Sequence, residues 1–181
     1  MKPQLLALVL ATIGFVMPVY ADNPSAPYAG QQARSIKSLS AEDVAALLKG
    51  EGMGMAKAAE LNGYPGPVHV LTLAKELKLT ESQRQQVQAI FDRMSAAAKP
   101  LGAELVEHEK VLDGLFANGE ITTDRLAAET AAIGELQGQL RSVHLTAHLE
   151  TRPLLNPEQI ARYQQLRGYR DGAPPSHHHP G

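Results

Sequence analysis

The chain has no cysteine and no tryptophan, and only 3 phenylalanines and 5 tyrosines in 181 residues. Without cysteine there is no disulfide, no thiolate chemistry and no cysteine-bound zinc. Packing, a metal held by other donors, or self-association must hold the fold together. The shortage of aromatics argues against a large aromatic-lined ligand pocket. Positive charge is not in excess either. The formal net charge is −2 with histidine neutral, which leaves no basic face for a phosphate backbone and excludes a nucleic-acid binder. The recurrent enzyme motifs are missing too. There is no G-x-S-x-G, no phosphate loop and no dinucleotide fingerprint. His144-Leu145-Thr146-Ala147-His148 lacks the glutamate that a metalloprotease carries after its first histidine. The carboxylates are spread over solvated helix faces, and the protein is read as not an enzyme. Long apolar runs are scarce. The single candidate, Leu5 to Met17, follows Lys2 and is shorter than a comfortable membrane span. With Val19-Tyr20-Ala21 behind it, residues 1–21 read as a secretory signal cleaved after Ala21. No cysteine lies near that junction to carry a lipid, and no second such run follows, so an exported protein with no membrane span after cleavage is expected.

Beyond the signal, helix dominates the pattern. Residues 22–39 are polar and rich in Pro, Ala, Ser and Gln, and read as a flexible leader. A single all-helical domain is expected over 40–170, with a Pro/Gly/His tail over 171–181. Ser40 to Asp43 starts a short helix that reaches about Lys49. Gly50 to Met55 interrupts it, and Ala56 to Leu61 resumes. The breakers from Asn62 to Pro67 form a loop, and Pro67 to Lys78 is a further short helix. Two long helices follow. In the first, Thr80 to about Phe116, Phe91, Ala98, Leu105 and Leu112 recur every seven residues, as do Val87, Met94, Leu101, His108 and Leu115. That is a seam for a neighbouring helix, and Pro100 inside it predicts a kink, not a stop. Ala117 to Glu120 is the turn. The second long helix starts near Thr122 and ends by Pro153, and a last helix covers Pro157 to about Arg167. Short connections between long helices force antiparallel neighbours. The fold class is therefore all-α: a long antiparallel helical hairpin with short flanking helices. So thin a core leaves an apolar stripe, and a homodimer is the expected resting state.

One five-residue word occurs twice, as Leu79-Thr80-Glu81-Ser82-Gln83 and Leu155-Asn156-Pro157-Glu158-Gln159. Each sits at a helix start. Thr80 and Asn156 are N-caps, the glutamine three residues on completes a capping box, and Pro157 occupies the first helical position. The paired words resemble the two LTxxQ signatures of the Spy/CpxP family of small periplasmic helical proteins, over roughly residues 63–169. That family includes a heavy-metal branch with the zinc-resistance-associated protein and the cobalt–nickel sensor CnrX. The resemblance implies a periplasmic protein built as a curved, hooked hairpin dimer.

His144 and His148 are one helical turn apart on one face, near enough to share a metal ion. Folding the chain back at Gly119 places them opposite Met94 and Ile90, and folding at Leu79 brings His69 to the same level. His69, His144 and His148, with Asp92 and Met94 on the helix between, form a candidate N/O or N/S site for zinc, nickel, cobalt or copper. The resemblance to the metal sensor points the same way. Val143 to His148 matches its ligand-bearing helix end, with His148 in the second ligand position. His69 matches a ligand on its first helix. Leu73 stands where the sensor has a further histidine, and Asp92 is the stand-in for its carboxylate. His108 reads as a histidine satisfied at the helix interface. His177, His178 and His179 read as a solvated tail, and Met53 and Met55 as flexible filler. Three functions remain open: a divalent-metal sensor or buffer, an ATP-independent chaperone for unfolded periplasmic proteins, and an adaptor that represses an envelope-stress signalling partner.

Overall fold

The computed structural model describes residues 26–169. The signal expected over 1–21 and the tail over 171–181 lie outside the described residues. Two units are distinguished, 1–30 and 31–181. In the first, the described residues form a turn in which the Ala29 N–H donates to the Ala26 carbonyl at 2.8 Å.

The second unit is helical, with no strand among the described residues. Its helices are α1 (Ala41–Lys49), α2 (Lys57–Glu60), α3 (Pro67–Thr72), α4 (Glu81–Ala117), α5 (Thr123–Thr151) and α6 (Pro157–Leu166), with short 3₁₀ turns at Gln31–Ala33 and Arg152–Leu154. Helices α4 and α5 pack along each other as the expected hairpin, and α4 runs unbroken through Pro100. The seam of α4 is buried at Ile90, Met94, Ala98 and Leu105, against Ile133, Leu136, Leu140 and Ala147 of α5. Each such side chain removed from water contributes about 1.5–3 kcal/mol for the larger aliphatics, and this stripe is the main reason that two polar-faced helices stay paired. The register estimated from Gly119 is close. Met94 shares a buried cluster with Ile90 and Ala147, Arg93 bonds Glu150 at 2.7 Å, and His108 bonds Glu129 at 2.7 Å across the interface.

Helix α1 lies on α4 where Gly102 leaves no side chain. A Cβ there would sit 2.1 Å from the Leu47 carbonyl oxygen. Ser40 and Asp43 close a complete capping box at its start, and Gly50 ends it in the left-handed conformation. The segment before α1 is packed, not free, from residue 31 on. Ile36 is buried in the α1/α4/α5 core, Lys37 pairs with Asp113 at 3.0 Å, and the Ser38 hydroxyl donates to Glu109 at 2.7 Å. Helix α3 stops at Thr72, short of the expected Lys78. Residues 73–78 continue as turns, and Lys78 takes a left-handed φ of 50° that swings the chain into the Thr80 cap.

The two repeated words meet. Each glutamine accepts the N–H of its own cap residue, at 3.0 Å in both copies. Each also reaches the other copy. The Gln83 amide donates to Gln159 Oε1 at 2.9 Å and to the Leu154 carbonyl at 2.7 Å, while the Gln159 amide donates to Gln83 Oε1 at 3.1 Å and to the Leu77 carbonyl at 3.2 Å. This clasp joins the starts of α4 and α6, over a buried cluster of Val70, Leu77, Val87, Leu155 and Tyr163.

Candidate functional site

Loop 50–56, α2 and α3 lie beside the hairpin toward its open end, where α4 starts and α5 finishes, and enclose a groove of about 840 Å³. His69 of α3, His144 and His148 of α5, and Phe91 and Met94 of α4 all line it, with Glu60, Arg167 and Tyr169 at one end. The three histidines singled out from the sequence therefore share one cavity. Asp92 does not line it. Its side chain is exposed and accepts a hydrogen bond from Gln88 at 2.8 Å. The physical reason is helical geometry: two residues along α4 from Met94 is about 200° around the axis, so when Met94 faces the groove Asp92 faces away.

Two carboxylates line the groove, neither singled out from the sequence: Glu51, exposed at the rim and 4.0 Å from Lys49, and Glu60, which is held inside. Glu60 Oε1 accepts from the Tyr163 hydroxyl at 2.5 Å, the Tyr169 hydroxyl at 3.1 Å and Arg167 Nε at 3.3 Å. Its Oε2 accepts from the Gly66 N–H at 3.3 Å and lies 3.7 Å from His148 Nδ1. Burial and the Glu60 carboxylate push the Tyr163 hydroxyl far above the ordinary tyrosine range, so it stays a protonated donor.

His148 is oriented by the backbone. Its Nδ1 lies 2.7 Å from the Tyr64 carbonyl oxygen. A carbonyl only accepts, so Nδ1 carries the proton and the Nε2 lone pair is left for another partner. Gly66 closes over that edge of the ring, and a Cβ on Gly66 would sit 2.8 Å from both Cε1 and Nε2. His144 is 3% exposed, and its Nε2 is fully buried without a hydrogen-bond partner. Leaving such a nitrogen unpaired costs about 1–3 kcal/mol. Burial, with His148 nearby, lowers the His144 pKa, so the ring is neutral at neutral pH. Burial, then the Arg167 charge, lowers that of His69 against a smaller opposing pull from Glu60.

One observation fits a metal ion: the orphaned nitrogen of His144. One does not. Among the described residues no three of His, Cys, Asp and Glu converge closely enough to hold an ion as they stand. His108 sits elsewhere on the hairpin, bonded to Glu129.

A family model described as "LTXXQ motif family protein" matches residues 69–167, a span that holds both repeated words, α4, α5, α6 and all three groove histidines. Comparison with curated proteins and with solved structures gives no match. Among the described residues no helix is long and apolar enough to cross a membrane.

Proposed function

Because the chain belongs to the LTXXQ motif family, a Spy/CpxP-type family of periplasmic, non-enzymatic proteins, we propose that it is a periplasmic metal-binding stress protein. In this reading it takes one transition-metal ion through His69, His144 and His148. The observation that carries the reading is the buried, unpartnered Nε2 of His144, in a groove that the other two imidazoles also line. A metal supplies the Lewis acid that such lone pairs lack as partners. Of the chain's own residues, Tyr64 fixes the His148 tautomer through its carbonyl, Gly66 lets the backbone pass close to the His148 ring without a clash, and Glu60 braces the Gly66 backbone. His69 stands on α3 and the other two on α5, so an ion shared among them ties the flanking helices to the hairpin and alters the surface offered to a partner. Calorimetric titration with zinc, nickel, cobalt and copper tests this, on a chain with His177, His178 and His179 replaced by alanine. One site per chain is expected, lost in the His144→Ala/His148→Ala double variant. No uptake by the parent removes the reading. Recovery of the protein from the periplasm with Asp22 as first residue checks export.

One observation favours a chaperone as the second reading. Met53, Leu61 and Val68 at the groove rim are 43%, 57% and 44% exposed, beside Lys49, Glu51 and Lys57. Apolar surface interleaved with charge suits a holder of unfolded chains. Suppression of light scattering by an aggregating client is expected on that reading. Inactivity at several-fold molar excess overturns it.

A further inference from the structure

We propose that the ion this groove selects is monovalent copper, with the Met94 thioether as a ligand beside His144 and His148. The inference rests on the metal-binding reading above. Among the described residues no three of His, Cys, Asp and Glu complete a site, and a further donor type lining the groove is thioether sulfur, from Met94 and Met53. Met94 is the inner one. It is 8% exposed and packs with Ala147, whose chain neighbour is His148 and which lies three residues beyond His144. Met94 thus belongs to the wall that carries both imidazoles.

Charge argues the same way. No carboxylate bonds His144, Asp92 faces solvent, Glu51 is exposed at the rim and lies 4.0 Å from the Lys49 ammonium, and Glu60 is already occupied by Tyr163, Tyr169, Arg167 and the Gly66 N–H. A divalent ion placed against Met94 and His144 would shed its water with no buried, unpaired carboxylate to replace it. The cost of desolvating an ion rises with the square of its charge, so a monovalent ion pays about a quarter as much. Thioether and imidazole donors without carboxylate are the set that soft copper(I) prefers, whereas zinc, nickel and cobalt gain more from oxygen donors and higher coordination.

The test is anaerobic competition of the full chain, tail histidines replaced, against a chromogenic copper(I) chelator, with a zinc titration in parallel. Met94→Leu keeps the side-chain volume and the fold. It is expected to weaken copper(I) binding at least about tenfold while leaving zinc binding within about twofold. Met53→Leu, at the rim, is expected to leave both within about twofold. X-ray absorption of the copper-loaded parent is expected to show a sulfur scatterer, lost in Met94→Leu. Copper(I) affinity unchanged by Met94→Leu, loss at Met53→Leu instead, or nitrogen-only scattering overturns this inference and leaves the histidine reading standing. Failure of the parent to take up any metal overturns both.

Discussion

Replacing Gly102 by alanine tests how α1 is held on the hairpin. In an exposed helix interior the change from glycine to alanine stabilises by about 1 kcal/mol, because the unfolded chain loses freedom. At Gly102 the added Cβ would meet the Leu47 carbonyl oxygen at 2.1 Å, its carbon at 2.8 Å and its Cα at 3.3 Å. These are backbone atoms of α1 and cannot rotate away. Helix α1 must back off by roughly 1 Å, a gap that forfeits a quarter to a half of each dispersion contact it opens. Overpacking of this kind costs typically about 1–3 kcal/mol, and a backbone obstacle belongs at the upper end. Set against the helix gain, the net loss is about 2 kcal/mol. Gly138 in α5 has nothing within 4 Å of its would-be Cβ, so Gly138→Ala is expected to gain about 1 kcal/mol. Two chemically identical substitutions in the paired long helices should thus differ by about 3 kcal/mol and in opposite directions. Urea denaturation followed by far-ultraviolet circular dichroism measures both. Equal stabilisation by the two variants would refute the packing of α1 against α4, and with it the support of loop 50–56 over the groove.

Gly66→Ala would press a methyl group to 2.8 Å from His148 Nε2. It is expected to weaken metal binding by about tenfold or more with little change in melting temperature, read by titration and calorimetry on one sample. Glu60→Gln leaves Arg167 and two tyrosine hydroxyls with a neutral acceptor. Hydrogen bonds to a charged partner contribute about 1.5–3 kcal/mol, so a loss near that size is expected in urea unfolding; an unchanged midpoint would show that α6 is not held through Glu60. On the acid side, Asp113 is held below its ordinary value of 3.8, first by the Lys37 backbone N–H, and Asp43 is held below the same value by the Ser40 hydroxyl and N–H. Both folded pKa values lie below the unfolded ones, so their stabilisation is present above about pH 4 and disappears as pH falls through the folded values. Asp113→Asn should flatten the fall in stability between about pH 4 and pH 2; an unaltered acid limb counts against the Lys37 contact.

The hairpin was legible because its signals are periodic and local. Seven-residue spacing marked the seam, Gly119 marked the turn, and counting back from it placed His144 and His148 near Met94 without any coordinates. The caps at Ser40, Thr80 and Asn156 were legible for the same reason, since a capping box is written within four residues. What escaped was set by tertiary approach. Glu60 reaches the groove because α2 is folded over it by the loop through Gly63, Pro65 and Gly66, and nothing around Glu60 announces that journey. The early stop of α3 at Thr72 was hidden because Lys78, not a glycine, takes the left-handed turn. Asp92 was a different kind of error. Its spacing of two from Met94 already implied the opposite face, and helical geometry applied residue by residue would have set it aside.

The reciprocal amide clasp between Gln83 and Gln159 has a consequence for how the fold answers its surroundings. Carboxamides neither gain nor lose a proton across the range in which living cells survive, and dissolved ions do not screen a bond between uncharged groups. The buckle at the foot of the helices therefore stays fastened through swings of acidity and salinity that would loosen the Lys37–Asp113 strap. The periphery of the fold can then respond to conditions while its base does not.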